Sequence, residues 1–479
     1  MVRRASSTIP KPIAGVVRVA GVLVGVACLA GIAGCRLRSS SAQIHSSAQV
    51  VRPYGTVGYQ PSHLTAGFGT RTEGGLAGRV LRVTRLDADG PGSLRHALEA
   101  SGPRLVVFEV GGVIDLGGRS LVVKEPRLTI AGQTAPDPGI TLVRGGLGVE
   151  THDVVIQHLA VRPGDAGPPP WDPDALGARR GPEGPVFSVV FDHCSATWAV
   201  DENLSISGPA DVATADGPEA TAHDVTLNRC LIAEGLSHAT HPKGEHSKGT
   251  LLHDGVRRVS ILGSLYAHNR ERNPRLKGGT RAVLVNNLIY NWGSSAVGMG
   301  AWGNTRRLAG AEAAVAGNLA LAGPDTKRRE LVRGLDPGAA AWLRDNLVLD
   351  RDGTPMPAAG STVRLLAEPP LWPGGLEAAP AWEAGEQVLR CAGARAGRRD
   401  AIDARIVRSV IMGEGHIIDS QEQVGGYPRR QPTRRPIEVP EGREQRRIWL
   451  HRLAAAIDCD AHLDLSPLER RLGRTGSPR

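Results

Sequence analysis

The chain has 479 residues with six cysteines, a formal net charge of +9 at pH 7 and only 4 % aromatic side chains. Cysteines so few and so widely scattered exclude a disulfide-built scaffold. The basic balance fits an anionic partner, and the lack of any helix-turn-helix or zinc-finger pattern, together with an export signal, argues against nucleic acid.

In chain order, Arg3, Arg4, Lys11 and Arg18 precede an apolar run from Val19 to Gly34 that ends at Ile32-Ala-Gly-Cys35. A basic start, a short apolar core and small residues before a cut describe an export signal over 1–35, shorter than the ~20 residues that span a bilayer. The Ile-Ala-Gly-Cys ending resembles a bacterial lipobox. That resemblance implies cleavage before Cys35, a lipid on its sulfur and a mature protein anchored at the outer membrane, in the periplasm or at the cell surface; plain secretion is the alternative. The Ser-rich segment that follows reads as a flexible tether over 36–62.

Beyond the tether, Ser93-Leu-Arg-His-Ala-Leu-Glu-Ala100, with Ser93 as N-cap, reads as a short helix suited to close the front of a repeat stack. Short β-rich segments then recur, beginning at Val154, Val189, Val225, Val259, Ala282, Ala313 and Ala341 and ending at Leu159, Cys194, Cys230, Ser264, Asn287, Asn318 and Asn346. They align without internal gaps, at irregular intervals that fall within the roughly 20 to 50 residues typical of solenoid repeats. Strands repeating at such intervals, with Gly-rich loops between them, bury their apolar face by stacking coil on coil. The predicted fold is an all-β, right-handed parallel β-helix over 63–360. Identical positions then lie about 4.8 Å apart on adjacent rungs, so Asn287, Asn318 and Asn346 are expected to form an internal amide ladder. His193 reads as a stacking position on its strand.

Towards the C-terminus, Asp400 to Met412 carries Ile402, Ile406, Val407, Val410 and Ile411 at helical spacing, so a helix there is expected to pack on the barrel, within a capping region over 361–428. The segment 429–479 reads as a basic, helical or disordered tail. Around and within it, Tyr427 to Pro440 is a loop, Glu441 to Ile457 a charged helix, and no structure is expected beyond Ser466. Cys194, Cys230, Cys391 and Cys459 can pair in an oxidising compartment, in combinations the sequence does not assign.

Lys248-Gly-Thr-Leu-Leu is followed, about one repeat further along, by Arg272-Asn-Pro-Arg-Leu-Lys277. On neighbouring turns of one scaffold these make a compact cationic site suited to an acidic sugar. With Gly92–Leu98, Thr129–Pro136, Asp192-His-Cys-Ser195 and Asn286–Asn291, this segment resembles the pectate lyases, which cleave polygalacturonate by β-elimination. The resemblance runs from roughly residue 65 to residue 300. It implies an enzyme with Arg272 as the base, Lys248 on the substrate carboxylate or glycosidic oxygen, and Lys277 as a second cation. Arg275, His246 and Trp171 would contact the sugar, and Trp198 and Trp292 fall near the same groove. It also implies Ca2+ held by Asp172, Asp174 and Asp201. The family's remaining acidic ligand aligns with Thr197, a poor replacement for which Glu202 stands next in line, although adjacent strand residues point to opposite faces.

Arginine serves as a base only where its surroundings disfavour its proton, and Lys248, Arg275, Lys277 and calcium are the expected source of that pressure. The density of His238, His241, His246 and His253 lacks the usual partner pattern of a zinc site, so these read as solvent-exposed loop residues. The partner implied is an acidic polysaccharide taken by a monomer, with membrane contact only through Cys35. A non-catalytic polysaccharide-binding β-helix and a β-helix glycoside hydrolase using Asp172, Asp174 and Asp201 are the alternatives.

Overall fold

Short runs of Val, Ile, Leu and Ala build three stacked sheets, of 11, 8 and 10 strands among the described residues, parallel throughout except for one added strand. The computed structural model describes residues 66–474 apart from 168–170, 183, 209–219, 254, 301–307 and 309. The expected signal 1–35, Cys35 and the tether 36–62 lie outside the described residues, as do parts of the Pro-rich 165–184 loop.

One coil shows the plan. Val154–Gln157 lies in the first sheet, His158 makes the turn, Leu159–Arg162 lies in the third sheet and Leu176–Arg179 in the second. Phe187–Asp192 then returns to the first sheet, parallel to Val154–Gln157. The register is the one the repeats predict: Val154, Val189, Val225, Val259, Ala282, Ala313 and Ala341 pair in succession. The fold is thus a parallel β-helix, as expected, and its interior is apolar because alternate residues of each strand face inward.

From Val154 onward, the turn between the first and third sheets is built alike on successive rungs. His158, His193, Arg229, Asn286 and Asp345 all take positive φ, between 49° and 58°, and Gly263 and Gly317 occupy the same place at 56° and 61°. A left-handed residue lets the chain turn a corner in one step. The residue after it faces inward, and there the expected ladder forms. The Asn287 side chain donates to that of Asn318 at 3.0 Å, and Asn318 to Asn346 at 2.9 Å. Above them the Ser264 amide donates to Asn287, and the Cys230 amide to Ser264.

At the front, helix Leu94–Glu99 is capped by the Ser93 side chain, which accepts from the His96 amide, and buries Leu94, Ala97 and Leu98 over the first coils. The C-terminal helices flank the barrel. In Ala401–Met412, Ile406, Val407 and Val410 pack with Leu231, Leu265 and Leu288 of the third sheet. Asp400 caps this helix through the Ile402 and Asp403 amides and also accepts from the fully buried Arg162, which donates to Asp403 as well.

Helix Ala381–Cys391 is an addition to the sequence reading. Its internal Gly385 disguises it, yet that glycine is what lets the helix approach, since a Cβ there would lie 2.3 Å from Leu319 Cδ2. The Tyr427–Pro440 loop carries Thr433–Arg434, which pair antiparallel with Val110–Gly111 and cover a sheet edge. Helix Arg443–Ala455 sets Leu450 against Leu105, Val107 and Ala131. The expectation of no structure beyond Ser466 is corrected: Ser466–Arg471 is a helix with Leu468 buried. Cys391 and Cys459 form a disulfide, while Cys194 and Cys230 are buried thiols.

Candidate active site

An open cleft of about 750 Å³ lies along the second sheet, lined by Asp174, Asp201, Glu202, Arg272, Arg275 and Lys277, with Arg179, Ser205, Lys243 and His253 among its other walls. Successive rungs bring these residues together. Asp174 precedes strand Leu176–Arg179, Asp201 precedes Glu202–Ser207, and Arg272 precedes Arg275–Leu276. Leu176 pairs with Leu204, Glu202 with Lys248 and Leu251 with Arg275, so residues far apart in sequence share one face.

The Arg272 turn is held from several sides. Arg272 takes φ 65°, its carbonyl accepts from the Thr250 amide, and Asn273 accepts from Asn269 Nδ2 at 3.0 Å. Gly249 is required beside it, because a Cβ there would sit 2.4 Å from the Arg272 oxygen. The guanidinium forms an ion pair with Glu202. Burial lowers the Arg272 pKa, against the opposing pull of Asp201 and Asp174. The pressure on its proton therefore comes from desolvation first, rather than from the neighbouring cations the sequence suggests.

Ligating oxygens of Asp174, Asp201 and Glu202 all lie within 4.8 Å of one another. Burial and the charge of Asp201 push the Asp174 carboxyl up to about 7. Burial also raises Asp201, but the hydrogen bond from His246 and the charges of His246 and His241 outweigh it, leaving the carboxyl below its usual value. The Asp174 side chain accepts from the Glu202 amide at 3.0 Å and from the Ser205 hydroxyl. Glu202 reaches the cluster beside Asp201 because Asp201 lies before the strand, where pleat alternation does not apply.

The remaining expected site residues fall elsewhere. Asp172 is exposed and outside the carboxylate group. Lys248 is buried beside the cleft, with its amine bound to Glu271. The Trp171 indole donates to the Gly164 carbonyl and its ring packs against Gly167. Trp198 and Trp292 are fully buried and form no sugar-facing wall. Thr197 is buried in a strand of the third sheet, away from the carboxylates.

The histidine reading is corrected in part. His241 and His246 are buried, stacked with ring centroids 3.6 Å apart, and His246 Nε2 lies 2.7 Å from Asp201 Oδ1. His238 alone of the four is strongly exposed, and His253 stands 3.3 Å from the Lys277 amine. Arg179, Ser205 and Glu271 escaped the sequence reading. Rung register along the second sheet would have found Arg179, which pairs with Ser207.

No family model matches the chain. A probable pectate lyase C of Aspergillus fumigatus is 32 % identical over 371 residues, covering 75 % of this chain and 79 % of that protein. Proteins of the same description from Aspergillus terreus and Aspergillus flavus are 35 % and 37 % identical, and the chain spans about 60 % of the length of each. Among solved structures, a pectate lyase bound to hexasaccharide aligns with a TM-score of 0.47 at 14 % identity, over 71 % of this chain and 99 % of that one.

Proposed function

The chain belongs to the pectate lyase family, and on that premise we propose that its cleft cleaves polygalacturonate or a related polyuronate by calcium-dependent β-elimination, with Arg272 as the base. The observation that carries this reading is the placement of three carboxylates, Asp174, Asp201 and Glu202, against Arg272, Arg275 and Lys277 in one open cleft. A hydrolase would instead need carboxylates on both sides of the scissile bond, without cations of this density.

The donor set fits calcium. All three groups offer hard carboxylate oxygens, close enough to share one ion. Bound there, calcium would neutralise the substrate carboxylate and acidify the adjacent C5 proton. Arg272 would take that proton, its affinity for its own lowered by burial. Lys277 and Arg275 would hold the uronate charges. Lys277 supplies a point charge without the planar fork of arginine, so grip on the substrate is the weaker part of the design. Lys248, bound to Glu271, would act on the substrate through that pair or after leaving it.

Export is part of the same reading. The Cys391–Cys459 disulfide suits an oxidising compartment, and a lipid on Cys35 would anchor the protein there.

The test is the ultraviolet absorbance of unsaturated product from polygalacturonate, with and without calcium. Calcium-dependent absorbance supports the lyase. Cleavage without unsaturation would reveal hydrolysis, and binding without either would reveal a non-catalytic module.

A further inference from the structure

Away from the cleft, three side chains converge in the closed space between the barrel and its C-terminal segment. His158 and His193 occupy the same left-handed turn position on successive rungs, so their rings project outward and stack 5.0 Å apart. Asp458, beside the disulfide-bonded Cys459, meets them: its Oδ1 lies 3.5 Å from His158 Nε2 and 3.8 Å from His193 Nε2. Both histidines are 0 % exposed and Asp458 is 2 % exposed.

The hydrogen bonds behind the rings fix what faces the centre. His158 Nδ1 lies 2.8 Å from the Ala394 carbonyl, which only accepts, so the proton is on Nδ1 and Nε2 presents a lone pair. His193 Nδ1 lies 2.8 Å from Asp192, whose carboxylate also accepts from Gln157 and Asn228. That carboxylate therefore accepts from the His193 Nδ1–H, which turns the Nε2 lone pair inward. The centre holds two nitrogen lone pairs and one carboxylate, and among the described residues neither oxygen of Asp458 has a hydrogen-bond partner. A buried carboxylate without a hydrogen bond is costly. A proton shared with a histidine relieves this poorly, because 3.5 Å and 3.8 Å are too long for a hydrogen bond.

We propose that His158, His193 and Asp458 form a second metal site, which takes a zinc-class divalent transition ion and clips the C-terminal segment to the barrel. Two imidazole nitrogens and two carboxylate oxygens supply four donors, a set that suits zinc rather than calcium. Asp192 behind His193 and the Ala394 carbonyl behind His158 orient the ligands in the way outer partners of metal-bound histidines do. The site closes a different link from the Cys391–Cys459 bond, joining the segment that carries Asp458 to the early rungs that carry His158 and His193.

The test measures metal content in the full chain after zinc loading and dialysis, for the wild type and for Asp458→Asn. The wild type should retain one equivalent more zinc than the variant. Cobalt(II) loading should give visible bands of a four-coordinate site that the variant lacks. His241 and His246 offer a separate pair of imidazoles, so His246→Gln serves as the background if Asp458→Asn does not fold. In that background cobalt should still give the bands. Equal zinc content in wild type and Asp458→Asn, or a His246→Gln chain without the cobalt bands, overturns the proposal.

Discussion

The guanidinium of Arg272 lies against Glu202, so the residue assigned as base is paired, in the cleft, with one of the three carboxylates that fit the metal. Position and protonation of Arg272 are thereby tied to the same acidic cluster. Burial lowers its pKa, while Asp201 and Asp174 act to raise it. The net state of the guanidinium depends on how those carboxylates are occupied.

Replacing Arg272 by Ala should lower kcat by about 100- to 10,000-fold, the range typical of losing a general base, with a smaller change in KM. Arg272→Lys should not restore the rate, because a lysine keeps charge but not the planar geometry or position. Steady-state production of unsaturated uronate decides this. An effect confined to KM would make Arg272 a binding residue instead.

Asp174 gives the site a pH dependence. Its carboxyl is raised to about 7 by burial and by Asp201, against roughly 3.9 in an unfolded chain. A raised pKa means that its contribution to stability is fully present below about pH 4 and lost as pH rises through about 7. Metal binding needs the ionised form, so calcium affinity should rise with pH up to about 7 and then level off. Thermal melting with and without calcium should show a larger calcium-induced increase in Tm at pH 8 than at pH 5.5. In Asp174→Asn the two increases should be equal and small. A wild-type increase independent of pH removes Asp174 from the metal site.

Asn318 is the centre of the internal ladder. It accepts from the backbone and side chain of Asn287 and donates to Leu284, Ala316 and Asn346. Asn318→Ala leaves several buried groups without partners, each worth about 1–3 kcal/mol when orphaned. Urea unfolding should show a loss of about 2–4 kcal/mol. Asn346→Ala, at the more open end of the ladder, should cost less. Equal costs would mean that openness at the end of the ladder does not set what each amide contributes.

The first sheet and the turn that follows each of its strands are legible in the sequence because those repeats align without gaps and most end on an inward small or amide residue, from Cys194 to Asn346. The second sheet is not, since its strands follow loops of unequal length and composition. The path from Arg162 to Leu176 is long and Pro-rich, that from Thr197 to Glu202 is short, and that from Ala233 to Lys248 is long and His-rich. Arg179 and Ser205, which depend on that sheet's register, are therefore invisible, while Arg272 and Lys277 carry a motif of their own. Asp174 and Asp172 look alike in sequence, but the Glu202 amide and Ser205 bind the first and leave the second in solvent. His241 and His246 read as exposed because their burial depends on stacking with each other over Asp201, a contact no spacing rule announces.

The Cys391–Cys459 disulfide closes a loop across 68 residues and ties the end of helix Ala381–Cys391 to the segment after helix Arg443–Ala455. A loop of this length corresponds to about 4 kcal/mol in the chain-entropy account, an upper figure when the open chain keeps structure. The barrel is held by its own ladders, so loss of the disulfide should act mainly on the C-terminal segment. Cys391→Ser/Cys459→Ser should leave the cleft folded and calcium still able to raise Tm, while proteolysis beyond Tyr427 becomes faster. Limited proteolysis with mass mapping checks this. Cleavage that spreads at once into the rungs around Val189 and Val225 would show instead that the C-terminal segment is required to keep the barrel closed.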